Sequence, residues 1–265
     1  MSGSDPQALE QYRDDANLIA RINLHRRFST NPISWHRWVF DQMRLPAGAR
    51  VLELGAGTGV LWSENRDRLP AGLEVVVTDS SEGMLRAARG QLDRVPGVEF
   101  RQMDADRIPD GEWTFDVVIA NHMLYHVPDR AAVFSEVVRV LRPSGRLYAA
   151  TNGASHMEEL DKLIANPEKR VIIWTWQFSL ENGADQLAPF FGSVELRRHQ
   201  NPLAVTDTSA VMAYIGSLPW DLSQHELVRI AEVIDWVIAT KGAFHITRDS
   251  GMFLCAEPRL PTRRF

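Results

Sequence analysis

Cysteine is almost absent from this chain: Cys255 is the single example in 265 residues. A lone thiol excludes an internal disulfide and a thiolate metal cluster, and its setting, Met252-Phe-Leu-Cys-Ala256, reads as a packed strand. Also absent is any apolar run near the roughly 18 residues of a membrane-spanning helix, and no basic-then-apolar leader opens the sequence. Positive charge is not in excess either. Lys and Arg number 29 against 34 Asp and Glu, a net charge of −5, and the basic residues are scattered apart from short clusters such as Arg26-Arg27 and Arg197-Arg198. No basic face for nucleic acid is expected. The sequence has no internal repeat and no low-complexity linker. These absences lead to the expectation of a soluble, cytoplasmic protein with no membrane partner, and leave monomer or homo-oligomer open.

What is present is 45% hydrophobic residues, enough for one domain with a subdomain. From Ser4 to Arg27 apolar residues recur at helical spacing, and Asn31-Pro32 predicts the start of a second helix running through Met43. Strand and helix then alternate: strand 50–54, helix 58–68, strand 73–78, helix 81–94, strands 98–103 and 115–120, helix 129–141, strand 145–151. Near-continuous apolar runs such as Phe115-Asp-Val-Val-Ile-Ala120 suit strands buried on both faces. Such alternation predicts a doubly wound parallel α/β sheet. Further on, helices are expected at 155–166, 207–217 and 223–240, and strands at 193–199, 243–247 and 251–257.

Ligands in open parallel sheets bind at the carboxyl ends of the strands. The first strand ends in Glu53-Leu-Gly-Ala-Gly-Thr-Gly59, where Gly55, Gly57 and Gly59 remove side chains that would block a close approach. Glu53 argues against a phosphate cradle, which needs free amides and often a lysine, and for a ligand with a cationic end. Strand 2 ends at Asp79, where a carboxylate can accept two ribose hydroxyls. Strand 3 ends at Asp104-Ala105 and strand 4 at Asn121-His122.

Together these motifs resemble the class I S-adenosylmethionine-dependent methyltransferases, in particular the bacterial small-molecule branch of the type 11/25 kind. The resemblance covers about residues 48–151, through Val51–Gly59, Thr78-Asp79-Ser80, Gly83-Met84-Leu85, Met103-Asp104-Ala105, Asn121–Pro128 and Leu141–Gly145. It implies a mostly parallel seven-stranded Rossmann-like sheet with an N-terminal helical cap and a helical insertion before the last strand. The implied division is a cap or lid at 1–45, a cofactor-binding core at 46–151, and the rest of the sheet with a substrate lid at 152–265. The implied cofactor is S-adenosylmethionine. Glu53 with Gly55, Ala56, Gly57 and Gly59 would hold its methionine portion, Asp79 and Ser80 the ribose, Met84 the adenine face, Asp104 and Ala105 the adenine edge, and Asn121 the methionine end.

His122 and His126, four apart, would share one face if that segment were helical, but no third ligand accompanies them and metal binding is not expected. Imidazole titrates near neutrality, so His122 is the first candidate for a base, His126 the second, and Tyr12 a residue that could close the site. His25, with Arg21 and Arg27, belongs to the same N-terminal part. Trp174, Trp176 and Phe178, and the insertion from Asn201 to Gly242, are placed to make a lid over the acceptor. The leading reading is methyl transfer to a small-molecule acceptor by direct displacement. An RNA or protein methyltransferase and a cofactor-binding protein that transfers no methyl group are the alternatives.

Overall fold

In the computed structural model, residues 15–164, 176–218 and 222–259 are described, with side chains from residue 19 onward. A seven-stranded sheet forms the centre, in the order β3-β2-β1-β4-β5-β9-β6. Its members are β1 (Arg50–Leu54), β2 (Glu74–Asp79), β3 (Val98–Gln102), β4 (Phe115–Asn121), β5 (Leu141–Asn152), β6 (Phe191–Gln200) and β9 (Asp249–Pro258). Strands β1 to β5 are parallel, and β9 runs antiparallel to both β5 and β6. Strand order reverses between β1 and β4, and the crevice at that reversal is where such sheets bind ligands.

Alternation along the strands divides the core. Val51, Val75 and Val77 pack on one face beneath α2 (Trp35–Gln42), α3 (Val60–Glu64) and α4 (Glu82–Gln91). Leu52, Leu54, Val76 and Val118 pack on the other beneath α5 (Arg130–Val140), joined by Phe253 and by Leu187 of α7 (Gly183–Leu187). A third cluster lies outside the sheet and joins Leu24 and Phe28 of α1 (Asp15–Phe28), Leu160 of α6 (Glu158–Leu163), Val211 of α8 (Thr208–Gly216) and Ile230 of α9 (Gln224–Lys241). The short antiparallel pair β7 (Leu203–Val205) and β8 (Phe244–Ile246) completes it.

Several boundaries differ from expectation, each for a local reason. The helix expected over 58–68 breaks at Asn65, whose side chain donates to the Leu61 carbonyl (2.7 Å) and the His36 carbonyl (3.1 Å), and a 3-10 turn at Arg66–Arg68 replaces the rest. The second helix begins at Trp35, not at Asn31-Pro32. Ser34 is the capping residue, accepting from the Arg37 amide, while Asn31 accepts from Ile33 in a turn of its own. Strand β5 starts at Leu141 opposite Phe115, bulges through the expected turn Pro143–Gly145, and resumes pairing at Arg146 opposite Val117. The helix expected over 155–166 begins only at Glu158, behind a left-handed Met157, and is described to Leu163; residues 165 and 166 lie outside the described residues. Strand β7 and helix α7 were not expected, because three to five residues are too few for a period to show. The N-terminal helix is described only from Asp15, so its expected start and Tyr12 lie outside the described residues, as does Trp174.

Candidate active site

A cavity of about 670 Å³ opens along the carboxyl ends of β1, β2 and β4. Helices α1 and α2 close it from above, through Arg21, Ile22 and His25 on one and Trp35 and His36 on the other. The far wall comes from beyond the core, with His156, Tyr214, Arg248 and Ser250. Of the cofactor residues expected from the sequence, Glu53, Gly55, Ala56, Gly57, Asp79, Ser80, Met84, Asp104, Ala105 and Asn121 line this one space, whereas Gly59 is not in the lining and caps α3 at a φ of 74°, where a Cβ would meet the Leu92 side chain at 2.8 Å.

The glycine loop is shaped by backbone constraints. Gly55 has a φ of 61°, and a Cβ there would stand 2.7 Å from the Met123 Cβ, so a side chain is excluded twice over. Gly57 has a φ of 57° and open space beyond it, which leaves its backbone bare toward the cavity. Asp79 ties this loop to the second strand. One of its carboxylate oxygens accepts from the Gly57 amide and the other from the Ser81 amide, both at 2.9 Å, the Ser80 amide adds a third contact, and acceptor capacity remains for a ligand. Burial raises the Asp79 pKa against these hydrogen bonds. Ser81 caps α4 by accepting from the Met84 amide, which seats Met84 in the wall.

Glu53 is 1% exposed, and Trp62 Nε1, two residues into α3, donates to its carboxylate at 2.5 Å. Burial pushes its pKa up to about 8, with Asp79 adding repulsion and the Trp62 hydrogen bond opposing both. The alternation that puts Val51 beneath α3 puts Glu53 there as well, which explains the contact. Trp62 was not singled out in the sequence, although its place just after the loop is the signal that could have found it.

At the end of β4, the Asn121 side-chain oxygen accepts from Trp35 Nε1 at 3.4 Å. His122 follows in the left-handed region (φ 56°), held by an amide hydrogen bond to Ala150 (3.0 Å), with its ring 5.0 Å from that of Trp35. The 3-10 turn Leu124–His126 begins only after it, so His122 and His126 do not share a helix face. The four-residue spacing would put them on one face only in a helix, and the backbone at His122 is left-handed instead. Both rings still face the cavity. Burial lowers the His122 pKa to about 3, with the nearby Arg248 charge adding to the effect. The imidazole is therefore neutral at physiological pH and a weak proton acceptor, contrary to the premise of near-neutral titration.

The other candidates divide. Arg21 and His25 reach the cavity, whereas Arg27 lies outside it in an ion pair with Asp207 (2.9 Å). Phe178 is fully buried in the core against Phe134 and Phe253, and Trp176 is 64% exposed, so neither lines the cavity. Burial drives that outcome, because an aromatic ring beside β9 fills the sheet face more completely than it could fill an open site. His156 and Arg248 were passed over. No local motif marks them, since they reach the site only through the packing of β8 and β9.

Sheet order, glycine loop and acidic strand ends together carry the likeness to class I methyltransferase domains. Residues 52–149 match the family model of a methyltransferase domain. The chain is similar to the ubiquinone/menaquinone biosynthesis C-methyltransferase UbiE of Idiomarina loihiensis, 34% identical over 144 residues that make up 53% of this chain and 55% of that one. It is 27% identical to a demethylmenaquinone methyltransferase of Lactiplantibacillus plantarum over 74% of each chain. The chain thus spans about half the length of most of the curated relatives it matches. Among solved structures, a phosphoethanolamine N-methyltransferase of Haemonchus contortus, in complex with phosphomonomethylethanolamine and S-adenosylhomocysteine, superposes with a TM-score of 0.61 at 17% identity. That match covers 95% of this chain and 59% of the other, and shows a shared fold.

Proposed function

We propose that this protein is an S-adenosylmethionine-dependent methyltransferase that acts on a small-molecule acceptor. The observation that carries the reading is the gathering of Glu53, Asp79 and Asp104 around a bare glycine loop in a single cavity at the strand reversal. The residues suit the cofactor. Gly57 presents backbone without a side chain, Asp79 has unused acceptor capacity for ribose hydroxyls, and the Glu53 carboxyl lies where an ammonium or sulfonium end would need a counter-charge. Met84 would pack on the adenine ring, Asp104 and the Ala105 amide would meet its edge, and Asn121 would meet the methionine end.

When bound, the cofactor supplies an electrophilic methyl group on a sulfonium. The chain's contribution is to place an acceptor atom in line with that methyl and to keep water out. Trp35 and His36 from α2 and His25 from α1 roof the cavity for that purpose, and His122 offers a neutral imidazole as a hydrogen-bonding partner. The cap reading of residues 1–45 and the lid reading of 152–265 belong to this proposal. A concave cavity of this size, on a chain of net charge −5, favours a metabolite over RNA or protein.

Calorimetric titration with S-adenosylmethionine tests the site. Binding is expected, and Asp79→Ala should weaken it about ten-fold or more, because a ribose hydrogen bond and the tether on the Gly57 amide are lost together. Unchanged affinity in the variant would overturn the assignment.

A further inference from the structure

The cavity is polar in the electrostatic sense. Glu53, Asp79, Asp104 and Asp106 line it from the ends of β1, β2 and β3, with Glu64 and Asp129 also in the lining, while Arg248 enters from the connection into β9, on the far side of β5 in the sheet order, and His25 and His156 line the same cavity. Arg248 lies between β8 and β9, lines the cavity, and makes no ion pair or hydrogen bond among the described residues; its Nε is buried without a partner. The carboxylate next in sequence and the one bonded to the preceding residue, Thr247, are already engaged. Asp249 accepts from Arg198 at 2.9 Å, and Glu159 accepts from both the amide and the hydroxyl of Thr247. Of the other guanidiniums that line the cavity, Arg21 donates through Nε to the Ser217 hydroxyl and through Nη2 to the Ser217 carbonyl, and Arg26 donates to Asn23 Oδ1 at 3.1 Å.

Burial lowers the Arg248 pKa only to about 10, so the group stays cationic at neutral pH. The histidines around it do not supply charge. His25, His122, His156 and His199 are all lowered by burial, and each feels the Arg248 charge as a further push toward the neutral form. His25 Nδ1 is also buried without a partner. A buried cation with no counter-ion is expensive, and a guanidinium fork matches one group above others: a carboxylate, held by two parallel hydrogen bonds. One unopposed positive charge balances one negative charge.

We propose that Arg248, assisted by hydrogen bonds from His25 and His156, is the anchor for the methyl acceptor, and that the acceptor is a small organic molecule bearing a single carboxylate. The carboxylate end sits at Arg248, which leaves the body of the molecule lying toward the glycine loop between Trp35 and Tyr214. This inference rests on the small-molecule methyltransferase reading and narrows it to a class of substrate.

The test is calorimetric titration of the full chain loaded with S-adenosylhomocysteine, using benzoate and phenylacetate, each beside its uncharged amide, and phenyl phosphate as a dianion. Each carboxylate should bind about ten-fold or more tightly than its amide. Arg248→Gln should abolish that preference while leaving S-adenosylhomocysteine affinity within about two-fold, which also shows that the variant is folded; Arg248→Lys should keep part of it. No preference for the carboxylates at millimolar concentration, or a preference that survives Arg248→Gln, overturns the proposal. Tighter binding of phenyl phosphate than of benzoate overturns the single-carboxylate assignment. If S-adenosylhomocysteine does not bind the native chain, the cofactor reading fails, and the same titrations on the unloaded protein still decide the fate of Arg248.

Discussion

A carboxyl group sealed beneath a helix and touched by one indole N–H is an acid at neutral pH. Glu53 is that group, with a pKa of about 8, and its proton must leave when a cationic ligand end arrives beside it. S-Adenosylmethionine binding at pH 7 is therefore expected to release close to one proton. Calorimetric enthalpies measured in phosphate and in Tris should differ by that proton's share of the buffer ionisation heats. Affinity should climb by up to about ten-fold per pH unit below 8 and level off above it. Glu53→Gln removes the dependence on buffer. Enthalpies that agree across buffers in the native protein would show that Glu53 is already ionised or lies away from the charge. The sequence indicated an acidic residue at this position; its ionisation state depends on Trp62 and on depth of burial.

At the scale of elements, the central strands β1, β2 and β4 were legible because both faces of a parallel sheet are covered there, so each appears as an apolar run that stops where the sheet stops, whereas the edge strand β3 alternates apolar and charged residues. Their carboxyl ends could be listed for the same reason, and those residues converge on one cavity. Loops after the strands were less legible, since their shape is set by single backbone conformations. The loop after β4 turns on His122 at a φ of 56°, which asparagine tolerates and a β-branched residue does not. His122→Asn should stay within about 0.5 kcal/mol of the native stability in urea melts, whereas His122→Val should lose about 2 kcal/mol. Equal losses would mean that the side chain, not the backbone, holds the loop.

For the molecule as a whole, the buried histidines set the acid side of stability. His25, His122, His156 and His199 have folded pKa values below the ordinary 6.5, to about 3 for His122 and about 4 for His199. A group depressed in this way contributes stability that is complete above pH 6.5 and is lost as pH falls toward its folded value. Glu53 acts in the opposite sense: its contribution is complete below pH 4.5 and disappears as pH rises through about 8. The histidines outnumber it, so the melting temperature should peak near pH 6.5–7 and fall steadily toward pH 5. The slope is about 1.4 kcal/mol per pH unit for each net proton taken up on unfolding. Histidine ring resonances followed by NMR should show His122 titrating at about 3, His199 at about 4, and His25 and His156 well below the ordinary 6.5. A flat melting profile between pH 7 and 5 would contradict their burial.

By itself the sequence determined the parallel sheet, the glycine loop and the acidic strand ends, because each depends on short-range period or on residues within one strand and its turn. It also carried the family likeness of residues 52–149, which lies in those same local motifs. Only the tertiary structure decided the roof and the far wall of the cavity. Trp35 and His25 reach it through the packing of α1 and α2, and His156 and Arg248 through β8 and β9. Arg248 lies almost 200 residues from the glycine loop in the sequence. Its unpaired charge becomes visible only when the neighbouring carboxylates are seen to be engaged elsewhere, a property of the folded arrangement that no local pattern encodes.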